Sequence, residues 1–102
     1  MSRRDHRSVQ SYLMIAMLHT IKWKTQPNKR SHSWMISIAS SRKAIPDICA
    51  TNPSINQAVL LSYWEQSFRK ACKKATDEMR QTTDITSLSW HEVFEEQYFL
   101  PF

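Results

Sequence analysis

Residues 18–38 read LHTIKWKTQPNKRSHSWMISI, from Leu18 to Ile38, and this stretch decides the fold. Up to Trp23 the apolar residues keep helical spacing. Gln26-Pro27-Asn28 then breaks the pattern, because proline has no amide hydrogen for the backbone ladder and disfavours helical geometry in the residue before it. Beyond the break, Ser31 or Ser33 can accept a hydrogen bond from the free amides of a new first turn, and Trp34 and Ile38 resume the apolar spacing. The stretch is expected to form a helical hairpin, with Trp23 and Trp34 as anchors on either side of Pro27.

Working outward, Val9, Tyr12, Leu13, Ala16, Met17 and Ile21 recur at helical steps, with Met14, Ile15 and Leu18 widening the stripe. A first helix over about Ser8–Trp23, buried on most sides, is predicted. Its basic start, Arg3, Arg4 and Arg7, opposes the helix dipole and calls for an acidic partner. In the second helix Trp34, Ile38, Ile45, Ile48 and Cys49 share one side, and Pro46 predicts a kink or an early stop. Asn52-Pro53-Ser54 marks a boundary, where Ser54 and Gln57 have the spacing of a capping box heading the longest helix, Ile55 to about Thr82. Within it Glu65–Arg69 and Lys74–Glu78 are expected to pair. A second box, Ser89 to Glu92, opens a short helix carrying Val93 and Phe94. The aromatic ending Tyr98-Phe99-Leu100-Pro101-Phe102 is expected to dock on the core.

The 102 residues suffice for one domain, 1–102. An apolar fraction of 41% with 23% charged residues is that of a globular chain. There is no glycine. That excludes the phosphate-cradling P-loop, the dinucleotide fingerprint and the G-x-S-x-G nucleophile elbow in their usual forms. It also counts against glycine-turned β-hairpins and leaves asparagine to end helices. The expected fold is all-α, an irregular antiparallel bundle of three main helices plus a short C-terminal one. The longest apolar run, Tyr12–Leu18, is too short to span a membrane. Cys49 and Cys72 fit no C-x-x-C pattern and read as half-buried thiols of a cytoplasmic protein.

The chain is basic and polarised. Residues 1–45 carry nine Lys/Arg against Asp5 alone, and residues 46–102 carry five against eight acids, so +8 and −3 give the net +5. Such polarity marks either a nucleic-acid surface or two faces that attract each other within the fold or between copies.

The order Leu18-His19, Lys22-Trp23, Gln26-Pro27, Arg30-Ser31, Ser33-Trp34, Ile38, Arg42, Ile45 and Asn52-Pro53-Ser54-Ile55 resembles a bacterial family called domain of unknown function 29. The likeness continues through Tyr63, Ala71, Ala75 and Glu78 to Phe99-Leu100-Pro101. It implies an all-α fold in a family, abundant in cyanobacteria, whose members have no established activity, so no catalytic residues carry over. His19, Trp23, Pro27, Ser33, Trp34, Pro53 and Ser54 are the motif positions, with structural roles. The resemblance also implies that the usual N-terminal segment, which includes an acidic helix, is missing here; the family's usual glycine after the long helix is absent as well, replaced by the Thr82 to Asp84 region.

No local spacing assembles a catalytic constellation or a cofactor site. His19 and His32 flank the turn, but nothing nearby completes a metal site of three or four ligands, and His19 is better read as a hydrogen-bonded core residue. The chain is therefore expected to be a non-enzymatic helical interaction module, binding an unknown protein or its own copy. The alternative is a nucleic-acid-binding accessory protein using Lys22, Lys24, Lys29, Arg30, His32, Arg42 and Lys43. These interleave with Trp23 and Trp34, so phosphates could meet the charges and bases the rings. Of the seven, Lys29 and Arg30 are expected to be free.

Overall fold

The computed structural model describes residues 3–100, and every regular element among them is helical. Helix α1 spans Arg3–Thr25, a 3-10 turn covers Pro27–Lys29, and α2 spans His32–Thr51. Helices α3, Gln57–Ser62, and α4, Trp64–Met79, follow, and a single wide helical turn closes at His91–Glu95.

The longest helix is α1, and it is the centre of the fold. Helices α2 and α4 pack on it from two sides. Residues 81–100 cover a third side, meeting α1 at Thr25, the adjoining Gln26, α4 at Trp64 and α2 at Arg42. This is why the apolar stripe of α1 is so wide: Val9, Leu13, Ala16, Met17 and Ile21 are fully buried. Thr20 is buried too, its hydroxyl donating to the Ala16 carbonyl at 2.7 Å. The chain runs up, down and up, so α1 and α2 are antiparallel while α1 and α4 are parallel, as the pairs His6–Tyr63 and Lys22–Glu78 require. Small residues four apart on α4, Ser67, Ala71 and Ala75, are all buried, the spacing that lets one helix ridge settle close to another. A second, smaller core at the hairpin end joins Trp23, Ile38 and Tyr98, with Trp34, Met35 and Leu100 packed against it.

The hairpin forms as the sequence dictates. Ser31 is the N-cap of α2, accepting from the Trp34 amide at 3.3 Å. Ser33 is exposed within the first turn. Pro46 neither stops nor shortens α2, which continues to Thr51. Pro46 is exposed, so the carbonyl it leaves without a partner faces the solvent side of the helix.

Three expectations at the third helix need correcting. The cap is Asn56, whose Oδ1 accepts from the Val59 amide at 3.1 Å, while the Ser54 hydroxyl turns back to Asn52 Oδ1 at 2.5 Å. The reason is Ile55. At 1% exposure it belongs to the core with Leu60, the pair that a hydrophobic staple places around a cap at residue 56. The helix is also interrupted at Tyr63, where a tighter turn sends its amide to the Leu60 carbonyl at 3.1 Å while its hydroxyl meets His6 Nδ1 at 2.6 Å. Finally, α4 ends at Met79 and not near Thr82. No asparagine ends it: Arg80 takes the left-handed conformation, φ 56°.

The second capping box is present in both directions. The Ser89 amide donates to Glu92 Oε1 at 2.9 Å, and the Glu92 amide to Ser89 Oγ at 3.1 Å. Trp90 and Phe94 then stack over Trp64, whose indole donates to the Leu88 carbonyl at 2.8 Å. Of the aromatic ending, Tyr98 is buried and Phe99 is exposed, while Pro101 and Phe102 lie outside the described residues.

Candidate functional site

The C-terminal end of α1 and the start of α2 hold the seven cations singled out above, and the fold divides them. Lys22 is bonded to Glu78 of α4 and sits 5.5 Å over the Trp34 ring. Lys24 lies 3.2 Å from both Glu92 and Glu96 and 5.7 Å over Tyr98. Arg30 donates to the Trp23 carbonyl at 2.8 Å and stacks on the Trp23 ring at 5.0 Å. Arg42 reaches the Val93 carbonyl at 2.7 Å and that of Glu92 at 3.2 Å, with Tyr98 5.3 Å away. Lys29, His32 and Lys43 are exposed, and their side chains have no hydrogen bond or ion pair among the described residues. Arg30 is therefore not free.

The electrostatics match this division. Partial burial opposes the charge on Lys24, yet the Glu92 and Glu96 carboxylates prevail and raise its pKa above the lysine norm. Burial lowers Arg42, and the hydrogen bond from Lys22 holds Glu78 below the usual carboxylate range. Glu92 is also lowered: its desolvation is outweighed by the Ser89 amide and Lys24. Tyr98, desolvated beneath these groups, is pushed up to about 12. Its hydroxyl donates to the Glu92 carbonyl at 2.7 Å. Together Lys24, Arg42, Glu92, Glu96 and Tyr98 clamp the C-terminal segment onto α1 and α2.

The rings are likewise occupied. Trp23 is 4% exposed, against Tyr98, and Trp34 is half-buried beneath Lys22, so neither stands clear to stack on a base. His19 donates from Nδ1–H to the Ile15 carbonyl at 2.9 Å, and burial lowers its pKa. His32 is exposed at the start of α2. Pro27 opens the 3-10 turn, and Pro53 is exposed beside Ser54.

Beside the clamp, a shallow groove of about 400 Å³ runs between α2 and the C-terminal segment, walled by Met35, Ile38, Ala39, Arg42, Lys43, Gln97 and Tyr98. Phe99, 67% exposed, follows Tyr98 directly, and Ile36, 58% exposed, follows Met35. Sequence reasoning did not find this groove or the roles of Glu92 and Glu96. The signal that was available is the charge polarity: bases of the first half meet acids of the second.

Two general features bear on function. Among the described residues, no helix is long and apolar enough to cross a membrane, and no group of three or more His, Cys, Asp or Glu is placed to hold a metal ion. A family model described as Domain of unknown function DUF29 matches residues 1–99, and the chain belongs to that family. No curated protein and no solved structure matches it.

Proposed function

We propose that this member of the DUF29 family is a non-enzymatic, cytoplasmic helical interaction module whose ligand is another protein chain, a second copy of itself in the first instance. The observation that supports the reading is the groove between α2 and the C-terminal segment, together with Phe99, exposed directly after the wall residue Tyr98. Exposed large apolar side chains beside a partly apolar groove are the kind of surface that associates. Because Phe99 follows the wall residue Tyr98, a twofold axis near the groove brings each copy's Phe99 to the other's Met35 and Ile38, a self-complementary contact. The nucleic-acid alternative through the hairpin is the weaker one, since Lys22, Lys24, Arg30 and Arg42 all have partners inside the fold.

The test is the molar mass by light scattering across a dilution series. A mass that rises from monomer to dimer with concentration, and that Phe99→Asp holds at the monomer, supports self-association. A monomer at every concentration overturns it.

A further inference from the structure

A second surface, on the opposite flank of α1, carries cations that make no ion pair among the described residues, with Lys74 near a carboxylate, that of Glu78. The parallel helices α1 and α4 leave a groove of about 330 Å³ between them, flanked by Arg7 on one side and Lys70 on the other. Gln10, Ser11, Gln66 and Ser67 line it with hydrogen-bonding groups and Met14 with an apolar one, and no carboxylate or aromatic ring is among its walls.

The helical register extends the two flanking charges into a stripe. Arg3 and Arg4 precede Arg7 by four and three residues, so they share its side of α1. Asp5 points elsewhere, toward Asn52 at the end of α2. On α4, Lys74 lies one turn beyond Lys70 on the same side. Its expected partner Glu78 is taken by Lys22 of α1. Arg3, Arg4, Arg7, Lys70 and Lys74 thus make no hydrogen bond or ion pair through their side chains among the described residues. With His6 beside Tyr63 and Lys22 beside Glu78 fixing the alignment, the stripe is about 20 Å long at 1.5 Å per residue. The first carboxylates along it are Asp77 and Glu78, at its far end.

We infer that this stripe binds the phosphate backbone of double-stranded nucleic acid, without reading its sequence. Along about 20 Å a duplex presents roughly six phosphates per strand, one each 3.4 Å, which suits five cations in a row. Glutamine and serine in the groove can donate to phosphate oxygens as neutral positioning contacts. The absence of a ring from the walls removes the stacking by which single strands are held and favours a duplex. The surface is distinct from the Phe99 groove, so this inference and the proposed self-association fail separately.

The experiment is fluorescence anisotropy of a labelled 20-base-pair duplex (a number of base pairs chosen to be roughly three times the stripe length) at several salt concentrations. Two variants remove the same charge: Lys70→Gln with Lys74→Gln on the stripe, and Lys29→Gln with Lys43→Gln on the hairpin. All four lysines are exposed, and circular dichroism checks that each variant remains folded. The expected slope of log affinity against log salt is about −4.5 for five neutralised phosphates, and the stripe variant reduces it by about 2. The hairpin variant leaves it unchanged. Equal losses in both variants would show attraction by net charge alone and overturn the site. So would no binding at low salt, or a poly-glutamate peptide binding more tightly than the duplex with the same dependence on Lys70 and Lys74, which would make the stripe a site for acidic protein.

Discussion

Replacing Tyr98 by alanine is the most direct test of the clamp that holds residues 81–100 against the helices. The ring is 8% exposed, packed 5.9 Å from the centroid of Trp23, and lies beneath Lys24 and Arg42. Removing a buried aromatic ring costs about 3–5 kcal/mol from lost transfer energy and the cavity left behind. Each cation above the ring contributes about 0.5–1 kcal/mol more, although the terms overlap and do not simply add. Against a total stability of about 5–15 kcal/mol for a domain of this size, Tyr98→Ala removes about a fifth of it at the least. Tyr98→Phe keeps the ring and loses only the hydroxyl bond to the Glu92 carbonyl. That carbonyl still accepts from Arg42 at 3.2 Å, so the cost is about 1 kcal/mol or less. Urea unfolding followed by tryptophan fluorescence reads both, with Trp23 as the neighbouring reporter. The midpoint should fall steeply for alanine and slightly for phenylalanine. If Tyr98→Ala costs under about 1 kcal/mol, the segment is not held in the way described and the reasoning fails.

Two further predictions concern α4 and the titrating groups. Arg80 sits at φ 56°, where a side chain is disfavoured and glycine is not, so Arg80→Gly should raise stability by about 0.5–1 kcal/mol, read as a higher melting temperature by calorimetry. On pH, His19 has a folded pKa below its ordinary 6.5 because of burial, so the unfolded chain binds the extra proton first. Stability should be highest above pH 6.5 and decline as pH falls below it toward the folded value, and His19→Gln should flatten that limb. Glu78, held down by the Lys22 hydrogen bond, and Glu92 have folded values below the ordinary 4.5. Their contribution is intact above 4.5 and lost as pH falls through the lowered values. Urea midpoints across a pH series check both limbs, and a loss of the acid limb in His19→Gln would contradict the assignment.

What the sequence made legible is what short-range chemistry controls. The Pro27 break, a serine cap at Ser31 or Ser33 and the Ser89–Glu92 box each depend on residues within three or four positions, and all three form, the cap at Ser31. The width of the apolar stripe on the first helix foretold its burial on most sides. The failures occur where a distant contact overrules a local signal. Ser54 has the spacing of a cap, but burying Ile55 against Leu60 shifts the start of α3 to Asn56. Glu78 has a lysine four residues before it on its own helix, but α1 brings Lys22 into bonding distance and takes it.

The same rule explains the redistribution of charge. Lys24 and Glu96 are 72 residues apart and Arg42 and Val93 are 51 apart, separations at which no sequence window pairs them. Only the gross polarity, +8 in the first 45 residues and −3 in the rest, anticipated that such pairs would form. Once they have formed, Glu78, Glu92 and Glu96 are paired with Lys22 and Lys24, while Lys29, His32 and Lys43 stay exposed with no ion pair among the described residues. The charge left over is therefore divided: Lys29 and Lys43 remain exposed at the hairpin and along α2, and a longer run of cations lies along the α1–α4 groove. There the arginines of the first turn and the lysines of α4 come from opposite halves of the chain, and only the parallel packing of the two helices makes them one surface.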